Sequence, residues 1–481
     1  MNEIDGIKKY LLLSYEELEN LNLQAKSRAQ DPSLSLENIR DHYINYLREE
    51  TRIKAVTMCF SDLEGRFHML DYDKKFLIST YQNLTFDGSS VNGFSNVEQS
   101  DLKIVPDWKS FRWLPGDIFG PGKVIVFGQI MDHDGSYYHS DIRSSLQLYV
   151  EKLVEEHGYY PKVSVECEGF LLDGLNAEQT YTRQEGFKLV SSGGYFNSLP
   201  RDPLRQFIDC FADAQRAMGF ENEKDHPEVA PSQFELNYTY CDPVTAGDQL
   251  QLYKLLARQI ANNMGMTACF LPKPISGING NGMHCNISIS KSGKNLFYGG
   301  EPGSISQFAH DFIDRVLYSA NDVSLILNSS VNSYRRLDPK FEAPNQIKFS
   351  KNDRTSMVRI PMANEKSARI EVRTVAPDAN PFMVFLALLK TGLEGPVEGV
   401  NDNSQKRPRT RFIPDNIIDA IRHFKSSDHI QEVLGSDAKD KFVACKLASA
   451  NRNPRELGQN IKESEVWFHH EVTNQLLWSK F

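Results

Sequence analysis

No apolar run in this 481-residue chain is long enough to cross a bilayer. The longest, such as Phe382 to Leu389, falls well short of the roughly 20 residues that a spanning helix needs. Positive charge is not in excess. Lys and Arg number 54 against 63 Asp and Glu, a net charge of −9, so the broad basic field that nucleic acid or an anionic membrane calls for is missing. The seven cysteines (Cys59, Cys167, Cys210, Cys241, Cys269, Cys285 and Cys445) are scattered and form no CxxC. A disulfide scaffold is thereby excluded, and a reduced cytoplasmic protein is expected. The start, MNEIDGIKKYLLLSYEELEN, sets only three leucines before a run of acids, which is not the pattern of a secretory leader. There is no GxxxxGK[ST], so any nucleotide would be bound without a P-loop.

What is present is ordinary soluble composition, 40% hydrophobic and 24% charged, in a chain too long for one compact core. At least two domains are expected. Residues 1–50, rich in Glu, Leu, Asn and Lys, read as one or two amphipathic helices added to the front. From Ile53 the texture changes to alternating apolar residues around the turn Asp62-Leu63-Glu64-Gly65, a hairpin signal opening a small strand-rich domain over 51–138. A larger segment, 139–481, alternates strands with helices. Asp141, Asp202-Pro203 and Asp242-Pro243 each have the form of a helix start. The basic stretch from Val400 to Arg411 reads as a solvated loop, and the chain ends in a helical tail, VWFHHEVTNQLLWSKF, whose aromatics suit docking.

Three strands have one charged face each. In VSVECEGFLL, Glu166 and Glu168 share a face opposite Val163, Val165 and Cys167. In MHCNISI, His284, Asn286 and Ser288 lie opposite Met283, Cys285 and Ile287. In RIEVR, Arg369, Glu371 and Arg373 share a face. Taken singly, the first is accounted for by a solvent-facing edge, the second by a satisfied histidine on a strand and the third by a cross-strand ion ladder. Glu228 and Glu235, seven residues apart in HPEVAPSQFELN, are brought together only if Pro231-Ser232 bends the chain. Before MHCNISI runs Gly277-Ile278-Asn279-Gly280-Asn281-Gly282, which allows close approach of backbone to a ligand. Taken together, five carboxylates and one imidazole suit Mg²⁺ or Mn²⁺ better than a thiolate-bound zinc. Arg336, Arg354 and Arg359 add forks that match phosphate and carboxylate oxygens. Divalent cations with arginines are the equipment of phosphoryl transfer.

The ordered motifs FDGSS, ExE, EVAPSQxE, PKP…NGNGMH, NSYRRL…FEAP, R…VRIP and RIEVR…ANPF resemble the glutamine synthetase family, in particular its bacterial type I branch, from about Ile53 to Gly395. The resemblance implies an α+β fold: a small β-grasp-like N-terminal domain and a large catalytic domain with a curved antiparallel sheet and helices. It implies ligation of ammonia to the γ-carboxylate of L-glutamate through γ-glutamyl phosphate, with ATP as cosubstrate and two or more Mg²⁺ or Mn²⁺ ions. Glu168, Glu228 and Glu235 match the ligands of one ion, and Glu166, His284 and Glu371 those of the other. Asn279, Gly280, Arg336 and Arg373 match the glutamate site. Ser288, Arg354, Arg359, Lys366 and Arg369 match positions around the nucleotide and its γ-phosphate. Asp87 and Ser90 resemble residues lent by a neighbouring subunit, Asp87 as the ammonium base. Glu342 resembles the carboxylate of a closing flap. A homo-oligomer of two stacked hexameric rings, with sites between subunits, is the type I expectation.

The match has departures. Asn286 stands where many members have a second histidine, Asn281 where serine is common, Pro227 for a frequent histidine and Gly169 for an aromatic. No tyrosine follows Tyr334, which excludes the nucleotidylation of a C-terminal tyrosine that switches off many type I enzymes. Two rival readings are a γ-glutamyl ligase for another amine, such as a polyamine, and an inactive relative that binds or regulates. The presence of Asp87 and Glu342 argues against the first, and the full set of ligand side chains against the second.

Overall fold

Ser14 begins the described structure's first helix with a capping box, its side chain accepting from the Glu17 amide while Glu17 reaches back to the Ser14 backbone. The computed structural model describes residues 11–181, 185–397 and 411–451. The basic stretch from Val400, save Arg411 itself, and the aromatic tail fall outside these residues. Helices α1 (Tyr15–Gln30) and α2 (Leu36–Glu49) are the expected N-terminal pair. They are not a loose addition. The buried Asn22 side chain donates to the carbonyls of Trp113 (3.0 Å) and Ala217 (2.8 Å) and accepts from the Trp113 amide at 2.9 Å. One side chain of α1 thus joins the N-terminal sheet to a helix of the larger body. Tyr43 of α2 stacks on Phe111 with ring centroids 4.4 Å apart.

The hairpin expected around Asp62–Gly65 is present as β1 (Ala55–Ser61) and β2 (Phe67–Asp73). With β3 (Leu84–Asp87), β4 (Asp101–Pro106), β5 (Arg112–Trp113) and β6 (Val124–Met131) they form a six-stranded sheet in the order β2-β1-β6-β4-β3, with β5 paired to β6. The β1–β6 pairing is parallel and the others antiparallel.

The second sheet is built from β7 (Tyr160–Asp173), β8 (Asn222–Pro227), β9 (Gln233–Tyr238), β10 (Met266–Cys269), β11 (Met283–Lys291), β12 (Lys294–Asn295), β13 (Gln346–Ser350), β14 (Ser356–Arg359) and β15 (Ile370–Val372). Its main order is β13-β14-β15-β11-β7-β9-β8, antiparallel except for the parallel β13–β14 pair. Helices Ile142–His157, Pro203–Ala217 and Pro243–Asn263 start at Asp141, Asp202 and Asp242, each carboxylate accepting from a first-turn amide. Their apolar sides pack with Val163, Val165, Cys167, Met283, Cys285, Ile287 and Val372 into one core. Strand periodicity does the rest: with one face of β7, β11 and β15 committed to that core, every polar residue between points the other way. Gly169 is accounted for here. A side chain at this position would meet Phe234 at 2.5 Å and Phe270 at 2.9 Å, so neighbouring aromatics fill the space.

The last described helix, Ser436–Asn451, returns to the N-terminal sheet. Lys446 and Glu64, both buried, pair at 2.6 Å, and the Asn92 side chain donates to the other Glu64 oxygen. None of the described helices is long and apolar enough to cross a membrane.

Candidate active site

Register sets the site. Across the second sheet, His284 lies opposite Glu166, Glu371 opposite Asn286, Glu168 opposite Glu235, and Glu235 opposite His226. Five neighbouring strands, β15, β11, β7, β9 and β8, therefore place acids and imidazoles in a row on the face away from the core. They line a cavity of about 250 Å³ together with Asn279, Gly280, Arg336, Glu342, Arg354, Arg359 and Arg373.

Two clusters of carboxylate and imidazole stand within it. In one, His284 Nδ1 is 3.4 Å from Glu166 Oε2 and 3.6 Å from Glu371 Oε1. In the other, His226 is 3.6 Å from Glu228 and 3.8 Å from Glu235. Within each trio the candidate ligand atoms lie within 4.8 Å of one another. The turn at Pro231-Ser232 does bend the chain: Ser232 has φ +64° and the Glu228 amide bonds the Gln233 carbonyl at 2.7 Å. The trio differs from the one implied by resemblance in having His226 where Glu168 was expected. Glu168 lines the same cavity, but its carboxylate accepts from the Gly282 amide at 2.6 Å. Gly282 is needed for that approach, since a Cβ there would stand 2.5 Å from Arg336 Nη2.

The electrostatics separate the clusters. Burial, reinforced by the nearby Glu168 charge, pushes Glu228 up to about 8. Burial and the charges of Glu166, Glu168 and Glu228 push Glu235 well above the carboxylate range. For Glu166, burial is outweighed by the hydrogen bond and charge of His284, the bond from Asn286 and the Arg359 charge, and its carboxyl is held low. Glu371 is fully buried and pairs at 2.5 Å with both Arg359 and Arg373. Each cluster offers an oxygen-rich donor set with one imidazole, and in the second the acids Glu228 and Glu235 repel one another unless positive charge is added, which fits hard divalent cations.

Arg336 is buried, donates to the carbonyls of Val375 (3.2 Å) and Arg373 (3.1 Å), and is lowered by burial to about 10, so it stays charged at neutral pH. Glu342 has φ +60°, rare for a residue with a side chain. It accepts from Asn279 at 3.3 Å and lies 3.9 Å from Arg354. Ser288 and Lys366 line an adjoining cavity of about 220 Å³, which shares Glu166, Lys224, Asn237 and Arg369 with the first. Asn286 bridges the two, donating to Glu166 at 3.0 Å and accepting from Arg369 at 2.9 Å.

Asp87 and Ser90 are the exception. They sit on an exposed turn, with Asp87 accepting from the Ser89 and Ser90 hydroxyls at 2.6 Å, and they line neither cavity of their own chain. Two residues escaped sequence reasoning. His226 stands two positions before Glu228, a strand-face spacing that could have flagged it. Gln233 donates to Gly280 O at 3.0 Å and Asn281 Oδ1 at 2.9 Å, tying the glycine loop to β9; it stands within the EVAPSQxE motif, but nothing local gives it that partner.

Residues 139–463 match the family model for the glutamine synthetase catalytic domain, and residues 52–133 the model for the glutamine synthetase beta-Grasp domain. A glutamine synthetase of Methanosarcina mazei is 33% identical over 413 residues, covering 83% of this chain and 91% of that protein. In fold, the chain is similar to Plasmodium falciparum glutamine synthetase solved by cryo-EM, with TM-score 0.76, 20% identity and coverage of 90% of this chain and 99% of that one. It is also similar to a GmaS–ADP complex, with TM-score 0.74, 24% identity and coverage of 88% and 99%.

Proposed function

The chain belongs to the glutamine synthetase family, and from that membership we propose that it ligates ammonia to the γ-carboxylate of L-glutamate, consuming ATP and yielding L-glutamine, ADP and phosphate. The observation that carries this reading is the pair of carboxylate–imidazole clusters side by side in one arginine-walled cavity. Glu166, His284 and Glu371 on one side, and Glu228, Glu235 and His226 with Glu168 on the other, are suited to hold Mg²⁺ or Mn²⁺. Bound there, such ions supply charge neutralisation for a polyphosphate.

The chain's own residues have the following parts. Arg336 and Arg373, with Asn279 and Gly280, hold and orient the glutamate. Ser288, Lys366, Arg369 and Arg359 receive the nucleotide; the adjoining cavity lined by Ser288, Lys366 and Arg369 supports this division, with Arg359 on the wall of the first. A γ-carboxylate oxygen of glutamate attacks the terminal phosphorus of ATP, the bond from that phosphorus to ADP breaks, and γ-glutamyl phosphate forms. Arg354 and Arg359 offset the charge that develops. Asp87 takes a proton from ammonium, the freed nitrogen lone pair attacks the acyl carbon, and phosphate leaves. Glu342, bonded to Asn279 and close to Arg354, shields the acyl phosphate from water. Because the exposed Asp87 lines neither of the two adjoining site cavities of its own chain, its part is to serve a second copy. A ring-forming homo-oligomer, of two stacked hexamers in the type I manner, meets that need.

The test is turnover of purified protein with glutamate, ATP and Mg²⁺ against a panel of amines. Phosphate release that depends on ammonium is expected. Release that depends on putrescine or another alkylamine instead would overturn the choice of ammonia, and no release with any amine would overturn the ligase reading.

A further inference from the structure

Away from the candidate active site, a cavity of about 200 Å³ lies where α1, the N-terminal sheet and the larger body meet. Its walls include Lys26 and Ala29 of α1, Arg112 of β5, Arg143 of helix Ile142–His157, and Val244 and Thr245 in the first turn of helix Pro243–Asn263. None of the residues assigned above to catalysis, substrate, nucleotide or metal lines it.

Most charges on this wall are already spent. Arg143 holds Asp248 through Nε and Nη2 at 2.7 Å and Asp107 through Nη2 at 2.8 Å. Lys26 pairs with Glu221 at 2.5 Å. The Asp242 carboxylate accepts from the Thr245 amide, and Glu151 accepts from Gln147 at 3.0 Å. Three cationic groups are left with spare donors: the Lys109 ammonium, which makes no hydrogen bond or ion pair with the described residues, Arg143 and Arg112. Arg143 is 3% exposed, and its Nη1 has no hydrogen-bond partner among the described residues. Arg112 uses Nη1 alone, donating to the carbonyls of Phe111 (2.7 Å) and Lys109 (3.4 Å). Its Nε and Nη2 make no hydrogen bond, and its guanidinium no ion pair, with the described residues. Arg112 is half-buried, and although Asp107, Asp242 and Asp248 lie on the same wall none of them bonds its guanidinium, so an added oxyanion would satisfy its spare donors. The open Nε–Nη2 edge is the fork that takes two oxygens of a carboxylate or phosphate. Phe127, Val150, Val244 and Leu252 supply an apolar remainder.

We propose that this cavity is a second ligand site, for a small metabolite whose carboxylate or phosphate group is held by Arg112 with Arg143 and whose body lies against the apolar wall. It stands independently of the reaction proposed above. A ligand there would bridge α1 and the N-terminal sheet to helices of the larger body, so it would brace the junction of the two. It also provides a use for α1, which forms one wall.

Calorimetric titration of the full-length protein with inorganic phosphate, and separately with straight-chain carboxylates from propionate to adipate, tests this. The arginines of the active-site cavity also bind anions, so the decisive quantity is the class of sites that disappears in Arg112→Met. The expected result is an additional class in the wild type, weakened on the order of tenfold or more in Arg112→Met. Phosphate turnover should remain at the wild-type level in that variant. Binding by one series alone identifies the head group. If Arg112→Met does not fold, Ala29→Phe, which fills the space from α1 and leaves both arginines, must remove the same class. Coincident isotherms for the wild type and the folded variant overturn the proposal, as does the lack of any binding outside the active-site cavity.

Discussion

Glu371→Ala is the most informative perturbation, because the structure separates its effect on stability from its effect on chemistry. Glu371 is fully buried and faces two guanidiniums at 2.5 Å, Arg359 and Arg373, with His284 Nδ1 at 3.6 Å. Deleting the carboxylate leaves Arg373, itself only 6% exposed, without its anion. Stranding one member of a buried pair costs about 3–5 kcal/mol. At about 2.1 cal/mol/K of unfolding entropy per residue, each kcal/mol moves the midpoint of this 481-residue chain by about 1 °C, so a fall of roughly 3–5 °C is expected. Glu371→Gln keeps the volume and one oxygen acceptor and is expected to fall by about half as much, since only the charge is lost. Both variants are expected to lose phosphate release, because both lack the ionised ligand. Melting curves recorded with a chelator present, set beside phosphate release at saturating Mg²⁺, check the two effects. A Glu371→Ala protein that melts within about 2 °C of wild type refutes the buried triad. Retained turnover in either variant refutes its role at the site.

The remaining expectations are briefer. Glu228 is raised from an ordinary 4.5 to about 8 by burial and by Glu168. The folded chain therefore binds more protons than the unfolded one between those values, and metal-free stability falls as pH rises through that window. Divalent cation binding at about pH 7 should release protons, and at about pH 9 far fewer, as titration calorimetry in two buffers of different ionisation enthalpy would show; equal release at both refutes the raised value. Asp87→Asn should leave glutamate and ATP binding intact and raise the ammonium KM, because the side chain is exposed and its carboxylate bonds only Ser89 and Ser90 of the same turn. An unchanged ammonium dependence removes Asp87 from the role of base. Lys446→Met strands the buried Glu64, which also holds Asn92 near the Asp87 turn. It should lower the melting midpoint by several degrees, and an unaltered midpoint refutes the pairing as a brace.

Much of this was legible because strand alternation is a strong local signal. VSVECEGFLL, MHCNISI and RIEVR each declare an apolar face, and the core does take Val163, Val165, Met283, Cys285 and Val372 while the acids and His284 turn away. The aspartate-capped helices were equally plain, since a carboxylate before a first turn has one dominant use. Cross-strand neighbours were not legible, because register is decided by non-local pairing. His226 reaches Glu235 only through the β8–β9 register, and the bond from the Gly282 amide to Glu168 joins residues 114 apart in the chain. The same limit explains the N-terminal helices. Composition marked them as amphipathic, but nothing local could show that Asn22 would bond partners 91 and 195 residues away, or that Lys26 and Ala29 would close a cavity around Arg112. Such long-range polar contacts exist because buried donors must find acceptors wherever the fold brings them. A segment whose side chains do so in both bodies at once belongs to the folded unit. Removing residues 1–30 should therefore lower the melting transition of the whole chain. Turnover and stability that survive the truncation unchanged would show those contacts to carry no weight.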